Sequence, residues 1–272
     1  MFRILQRVIT GGFSVLALAG QTAVVANPGV AQLSAEQILD RYQDARGGAV
    51  WQKIQTMAWT GHVESGPGGM NKSPFLMLFK RPDATRFEVL AQGQHLVRAF
   101  NGAKGWKLQP TNGGLPQVQH YSATELSYAR DACGLDGPLA NYRSKGVTVS
   151  LQGRETVDGH EAYRLSVTLP SGQTRTDWID AQSFLELQYD RVPRNAAGRS
   201  AAVSVHYRDY HNVKGLVMPF TIETQGTAGH DTDKMIIEKI AINPKLEESQ
   251  FAEPTGPGDQ RRGVLVDTAA GR

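Results

Sequence analysis

Between Gln55 and Ile242 the chain reads as short runs in which apolar and polar residues alternate. Phe87 and Val89 alternate with Arg86 and Glu88. Val147, Val149 and Leu151 alternate with Thr148 and Ser150, and Tyr163, Leu165, Val167 and Leu169 with Arg164, Ser166 and Thr168. Val203, Val205 and Tyr207 alternate with Ser204, His206 and Arg208. A period of two is the signature of strands with one buried and one wet face. Twelve runs qualify: 55–64, 73–81, 84–92, 95–101, 104–109, 147–154, 161–169, 174–181, 184–192, 200–211, 216–225 and 233–242. Turn chemistry separates them, with Asp158-Gly159 as a primed hairpin turn and Asn101-Gly102, Ser171-Gly172 and Lys214-Gly215 at other returns. The pattern predicts a mainly β fold with some α, built on a large antiparallel sheet that curls on itself and so makes a cavity.

Two runs break the alternation. Phe75-Leu76-Met77-Leu78-Phe79 is apolar on both faces, and so, less cleanly, is Met235-Ile236-Ile237 with Ile240 and Ile242. A strand of this kind is covered on both sides. The expectation is a strand sandwiched by the N-terminal helix, with an apolar cavity wall as the rival reading.

Helical spacing appears in two places. Ser34 and Gln37 form a capping box, with Leu33 and Ile38 as the hydrophobic staple, and Ile38, Leu39, Tyr42 and Ala45 follow on one face. Gly47-Gly48 stops or bends this helix, and 49–54 resumes as a short turn or two. The second place is an insert at 122–145. Ser122 and Glu125 repeat the capping box ahead of Leu126, Tyr128, Ala129 and Ala132, and Gly134 ends it. An insert between two runs of strands is placed to cover the open mouth of a curved sheet.

The first 26 residues read as a secretory leader. Arg3 and Arg7 are basic, Phe13 to Ala19 is apolar and charge-free, and Val24-Val25-Ala26 offers a cleavage site, with Ala31 in reserve. Gln21 stands where a lipoprotein leader needs an acylated cysteine. The organisation expected is therefore a leader at 1–26, one domain at 27–252 and a disordered tail at 253–272, rich in Pro and Gly, with the mature protein periplasmic and unanchored. Loss of Arg3 and Arg7 reduces 29 basic residues to 27 against 26 acidic. So near-neutral a chain gives no electrostatic case for nucleic acid. Cys133 is the only cysteine, which excludes an intrachain disulfide and a thiolate metal cluster.

Motifs of catalysis are absent from the sequence. There is no HExxH, no nucleophile elbow and no phosphate loop. Among seven histidines, His206 and His211 with Asp209 come nearest to a ligand set, but on a strand His206 faces away from the other two. No metal, no cofactor and no enzymatic activity are expected. Four tryptophans, Trp51, Trp59, Trp106 and Trp178, suit either packing or an apolar binding wall.

The order of leader, capped helix, strands, helical insert, strands and Pro-rich exit resembles the LolA/LolB-like superfamily of periplasmic outer-membrane lipoprotein-sorting proteins. The phrases carrying the resemblance are Ala35-Glu36-Gln37-Ile38-Leu39-Asp40-Arg41-Tyr42, then Trp178-Ile179-Asp180-Ala181-Gln182-Ser183-Phe184-Leu185-Glu186-Leu187, and Pro219-Phe220-Thr221-Ile222. The resemblance spans about residues 34–252. It implies an incomplete (half) β-barrel of about eleven strands with helices over the open side, and a hydrophobic cavity for acyl chains. The cavity-lining candidates are Trp59, Phe75, Met77, Phe79, Phe87, Val89, Trp106, Leu126 and Trp178. Family carriers latch the lid with an arginine, for which Arg81 and Arg86 are the candidates. The implied function is a monomeric carrier of lipid or acylated lipoprotein, with transient contact to an envelope membrane protein. The alternatives are an envelope sensor or scaffold on the same fold and, further off, an envelope hydrolase.

Overall fold

The computed structural model describes residues 33–111, 114–192, 202–226 and 232–255. The leader, its cleavage site, Gln21 and the tail beyond 255 lie outside the described residues. Thirteen strands in these segments make one antiparallel sheet. They are β1 (Thr56–Ser65), β2 (Asn71–Lys80), β3 (Ala84–Ala91), β4 (Gln94–Asn101), β5 (Gly105–Thr111), β6 (Gly114–His120), β7 (Thr148–Val157), β8 (His160–Thr168), β9 (Thr174–Asp180), β10 (Glu186–Arg191), β11 (Val203–Val213), β12 (Leu216–Gly226) and β13 (Thr232–Ile242). The spatial order is β6-β5-β4-β3-β2-β1-β13-β12-β11-β10-β9-β8-β7. Two meanders, β1–β6 and β7–β13, are thus joined along the β1–β13 pair, and the sheet is open, with β6 and β7 at its two edges. It is an incomplete barrel.

That topology dictates where the insert runs. Because β6 and β7 lie at opposite edges, the chain between them must cross the width of the sheet. It does so over one face as helix α2 (Ala123–Asp131), then as two 3-10 turns at Gly134–Asp136 and Tyr142–Lys145. The same face carries helix α1 (Ala35–Ala45) and a 3-10 turn at Gly48–Lys53, and is called the inner face below. Both predicted capping boxes are formed, Ser34 with Gln37 and Ser122 with Glu125. Gly47 breaks the helical path with φ 119°, and a Cβ there would sit 2.4 Å from the Gly215 carbonyl oxygen, so the turn accepts no larger residue.

Helix α1 buries Ile38, Leu39 and Tyr42 against Tyr163, Leu165, Val167 and Ile179 of β8 and β9. The helix therefore packs on the β7–β9 end of the sheet and does not form the second cover of the Phe75–Phe79 strand. That cover is the C-terminal segment. Phe251, 1% exposed, packs on Leu76, Leu78 and Ala84 of the outer face, joined by Leu246. The Trp106 indole N–H donates to the Phe251 carbonyl at 3.1 Å, and Arg86 donates to the Gln250 carbonyl at 2.9 Å. Arg86 and Glu88, which the alternation puts on a wet face, are consequently 6% and 2% exposed. They remain paired at 3.0 Å beneath the segment, as buried charges must.

One strand exceeds the twelve read from the alternation. β6 carries Pro116, Gln117 and Gln119 and has no apolar period, yet it pairs with β5 from Trp106↔His120 to Thr111↔Gly114. It sits at the sheet edge, the place where a strand tolerates proline and polar residues on both faces.

Candidate functional site

Residues that face each other across an antiparallel ladder share a face. Register therefore traces the inner surface directly. One row runs Lys107, Arg98, Phe87, Met77, Trp59, Ile240 across β5, β4, β3, β2, β1 and β13. A second runs Val63, Met235, Ile222, Tyr207 across β1, β13, β12 and β11. A third runs Val205, Tyr189, Asp177, Leu165 across β11, β10, β9 and β8. Between α1 and α2 these rows are only partly covered. Trp59, Met77, Phe87, Phe220, Ile222, Met235 and Ile240 are half-buried around a fully buried base of Phe75, Val89 and Ile237. The result is an apolar trough along the middle of the inner face. Its aromatic members are in contact, Trp59 with Phe79 at 4.9 Å between ring centres and Phe75 with Phe87 at 6.1 Å. Gly61 lets β13 close on β1 here. A Cβ at that position would meet the Ile236 carbonyl oxygen at 1.9 Å, and the register shifts between Thr60 and Gly61.

Six of the nine sequence candidates, Trp59, Phe75, Met77, Phe79, Phe87 and Val89, come together on this face. Trp106 does not join them. It pairs with Ala99 on the outer face and is buried under Phe251. Trp178 pairs with Gln188, is also outward, and donates its indole N–H to Glu155 of β7. Both tryptophans sit one residue out of phase with the trough, and composition does not reveal phase. Leu126 is half-buried on α2. The trough residues that the candidate set lacks come from β12 and β13: Phe220, Ile222, Met235 and Ile240. The apolar run in 235–242 signalled the last two, and the phrase Pro219-Phe220-Thr221-Ile222 contained the first two.

The insert is tied at three points. At one end of the sheet, Glu125 of α2 accepts from Lys107 at 2.8 Å and from Arg98 at 3.1 Å. Partial burial raises the Glu125 carboxyl, but Lys107 and the Ser122 cap outweigh it and hold it below the usual carboxylate range. At the other end of α2, Asp131 accepts from the backbone N–H of Ser171 at 3.1 Å, in the turn between β8 and β9. Midway, Arg81 at the end of β2 clamps the insert to the 3-10 turn. It donates to both oxygens of Asp136, at 2.7 and 2.6 Å, and to the carbonyls of Ile54 and Trp51, at 2.6 and 3.0 Å. Of the two candidates, Arg81, and not Arg86, thus holds the cover over the inner face. Beside it lies a cleft of about 250 Å³ lined by Tyr42, Gln43, Arg46, Trp51, Arg81 and Asp136, none of them a trough residue.

Arg46 caps α1 and is shared between the Tyr42 hydroxyl at 2.9 Å and the Trp51 ring at 4.5 Å. His211 bonds Asp209 at 3.0 Å and edges onto the Phe220 ring. His206 lies 3.7 Å from Asp158. Among the described residues no three His, Cys, Asp or Glu side chains are grouped to hold a metal ion.

Known structures share this fold. A LolA superfamily protein from Nitrosomonas europaea superposes with a TM-score of 0.55 over 82% of this chain and 99% of its own, at 14% identity. The chain has a LolA-like fold. A DUF1329 family protein from Desulfovibrio piger superposes at 0.53, with 13% identity, covering 80% of this chain and 96% of its own. A putative outer-membrane lipoprotein-sorting protein domain from Vibrio parahaemolyticus gives 0.51, at 11% identity, with 79% and 94% covered. No family model matches the sequence, and no curated protein matches it. No helix among the described residues is long and apolar enough to cross a membrane.

Proposed function

We propose that this protein is a periplasmic carrier that takes up lipid or lipoprotein acyl chains in the inner trough and carries out no reaction on them. The observation that carries the reading is the trough itself. Seven large apolar side chains, from Trp59 to Ile240, are left half-buried on a face that helices otherwise cover. A contiguous, incompletely covered apolar patch of this kind marks a binding surface. Each methylene transferred from water contributes ~0.8 kcal/mol, so two acyl chains bind strongly without any polar contact. A tied but crossing helix, α2, then acts as the cover that opens for loading. The fold shared with a putative lipoprotein-sorting domain supports the same ligand class, and the leader reading of residues 1–26 supports export.

The test is titration with an environment-sensitive fatty-acyl probe. Saturable binding that diacylated lipopeptide displaces is expected, with Trp59→Ala and Met77→Ser weakening it and leaving the fold intact. A signal that rises without saturation, or that both variants leave unaltered, refutes the trough as the binding site.

A further inference from the structure

Beyond the apolar rows, the third row ends in charge. Arg175, Asp177 and Glu186 sit on the inner face at β9 and β10, and Asp177 is 0% and Glu186 8% exposed. Arg175 donates through Nη2 to Asp177 Oδ2 at 2.6 Å and lies 3.5 Å from Glu186 Oε1. Its guanidinium rests 4.1 Å from the centre of the Tyr189 ring. Three atoms of this cluster are buried with no hydrogen-bond partner among the described residues: Arg175 Nε, Asp177 Oδ1 and Glu186 Oε1.

The chain shows what a purely structural pair looks like. Arg81 and Asp136 meet through two bonds, and every oxygen of that carboxylate is used. Arg175 and Asp177 meet through one, although both are the more deeply buried. A buried donor and a buried acceptor left free in one cluster are rare in a folded protein and call for a polar partner. Tyr189 and Tyr207, half-buried with rings 6.0 Å apart, connect this corner to Ile222 and the apolar trough. α1 covers it through Tyr42, and the β8–β9 turn that Asp131 holds lies two residues before it.

The charge balance selects the partner. Burial, with the Asp177 carboxylate next to it, pushes the Glu186 carboxyl up to about 8, so that group holds its proton at neutral pH. Burial also raises the Asp177 carboxyl, against the pull of the Arg175 guanidinium bonded to it at 2.6 Å. Arg46, the other nearby cation, is engaged by Tyr42 and the Asp136 carbonyl. A phosphate or carboxylate headgroup entering here meets Asp177, and an ammonium meets Arg175. A hydroxyl meets neither penalty, since it accepts from Nε and donates to Oδ1.

We infer that Arg175, Asp177 and Glu186 form a headgroup site for an uncharged, hydroxyl-bearing amphiphile of the acylglycerol type. This inference rests on the trough reading and adds to it a preference among ligands of equal chain length. A site built to hydrogen-bond a hydroxyl discriminates strongly against analogues that cannot complete its bonds.

Displacement of the acyl probe by 1-monooleoylglycerol, oleate and oleoyl lysophosphatidate decides the matter. Wild-type protein is expected to bind the monoacylglycerol about tenfold or more above the two anions. Asp177→Asn is expected to bring that ratio close to one with probe affinity retained. Arg175→Lys keeps the charge but deletes the Nε donor, and carries the same expectation should the first variant not fold. Equal displacement by all three ligands in the wild type overturns the headgroup site and leaves the trough reading standing. So does a preference that persists in either folded variant. Failure of the probe itself to bind overturns both.

Discussion

Asp131 at the C-terminal end of α2 accepts a hydrogen bond from the backbone N–H of Ser171, forty residues on, in the turn between β8 and β9. With Glu125 held by Lys107 at the other end, α2 is a strap between the two halves of an open sheet. Asp131 is 5% exposed, so its loss leaves that turn without a partner. Bonds to a charged acceptor contribute ~1.5–3 kcal/mol each. Asp131→Ala is expected to raise hydrogen exchange across 123–131 by tenfold or more, with much less change in β1 and β2, and to speed dissociation of a bound acyl probe. Uniform acceleration across the whole sheet would show that α2 opens only when the protein unfolds.

Arg81 and Asp136 clamp the cover at its middle. The pair is partly buried, and Arg81 also satisfies two carbonyls at the end of the 3-10 turn. Removing one partner of such a network exposes the other uncompensated. Asp136→Ala is expected to lose ~2–4 kcal/mol in urea unfolding. Arg81→Lys should lose a similar amount, because an ammonium cannot reproduce the two-pronged contact. A loss below about 0.5 kcal/mol in both would remove the clamp from the account.

Phe251 seals the outer face over Leu76 and Leu78. Truncation of a buried Phe costs ~3–5 kcal/mol, and here Arg86 and Trp106 also depend on the carbonyls of its segment. Phe251→Ala should therefore fall in the upper part of that range, while Glu253→Ala, on the exposed chain just beyond, should be neutral. Denaturant midpoints at constant slope read both. Equal midpoints for the two variants would contradict the packing.

This segment also marks the limit of what the sequence makes legible. The strands of strong period and the two capping boxes were readable because local chemistry specifies them: a hydroxyl ahead of Gln37 or Glu125, a Gly after Asp158. The apolar run at Phe75–Phe79 announced that both faces are covered, but not by what. The outer cover is one aromatic residue, Phe251, some 170 positions away in a stretch with no period of its own. Arg86 and Glu88 looked wet for the same reason. β6 was silent because an edge strand needs no apolar face. For the site, Trp59, Met77 and Phe87 lie together on the inner face, whereas Trp106 and Trp178 sit one residue out of phase on the outer face. Arg175 and Asp177 lie in the 174–181 run, where nothing local marks them as buried. Only the tertiary packing of Tyr42 and Tyr189 around them shows that they are buried.

Glu186 gives a pH signature of its own. Burial and Asp177 raise its carboxyl to about 8 from an ordinary value of 4.5. Burial also raises the Asp177 carboxyl, against the pull of Arg175. A carboxyl raised in the folded state binds its proton more tightly there than in the unfolded chain. Its contribution is fully present below about pH 4.5, declines as pH rises, and is gone above about pH 8. The slope in that window approaches ~1.4 kcal/mol per pH unit for one proton. Carboxyls held low by partners, such as Glu125 and Glu223, act at the acid end below this window. Glu186→Gln keeps the shape and the hydrogen-bonding capacity of the protonated acid but cannot ionise. Its stability relative to wild type should therefore climb by several kcal/mol between pH 5 and pH 8.5, measured by chemical unfolding at closely spaced pH values. Parallel curves for the two proteins across that range would mean that Glu186 is ionised in the folded state, and the neutral headgroup corner would lose its electrostatic basis.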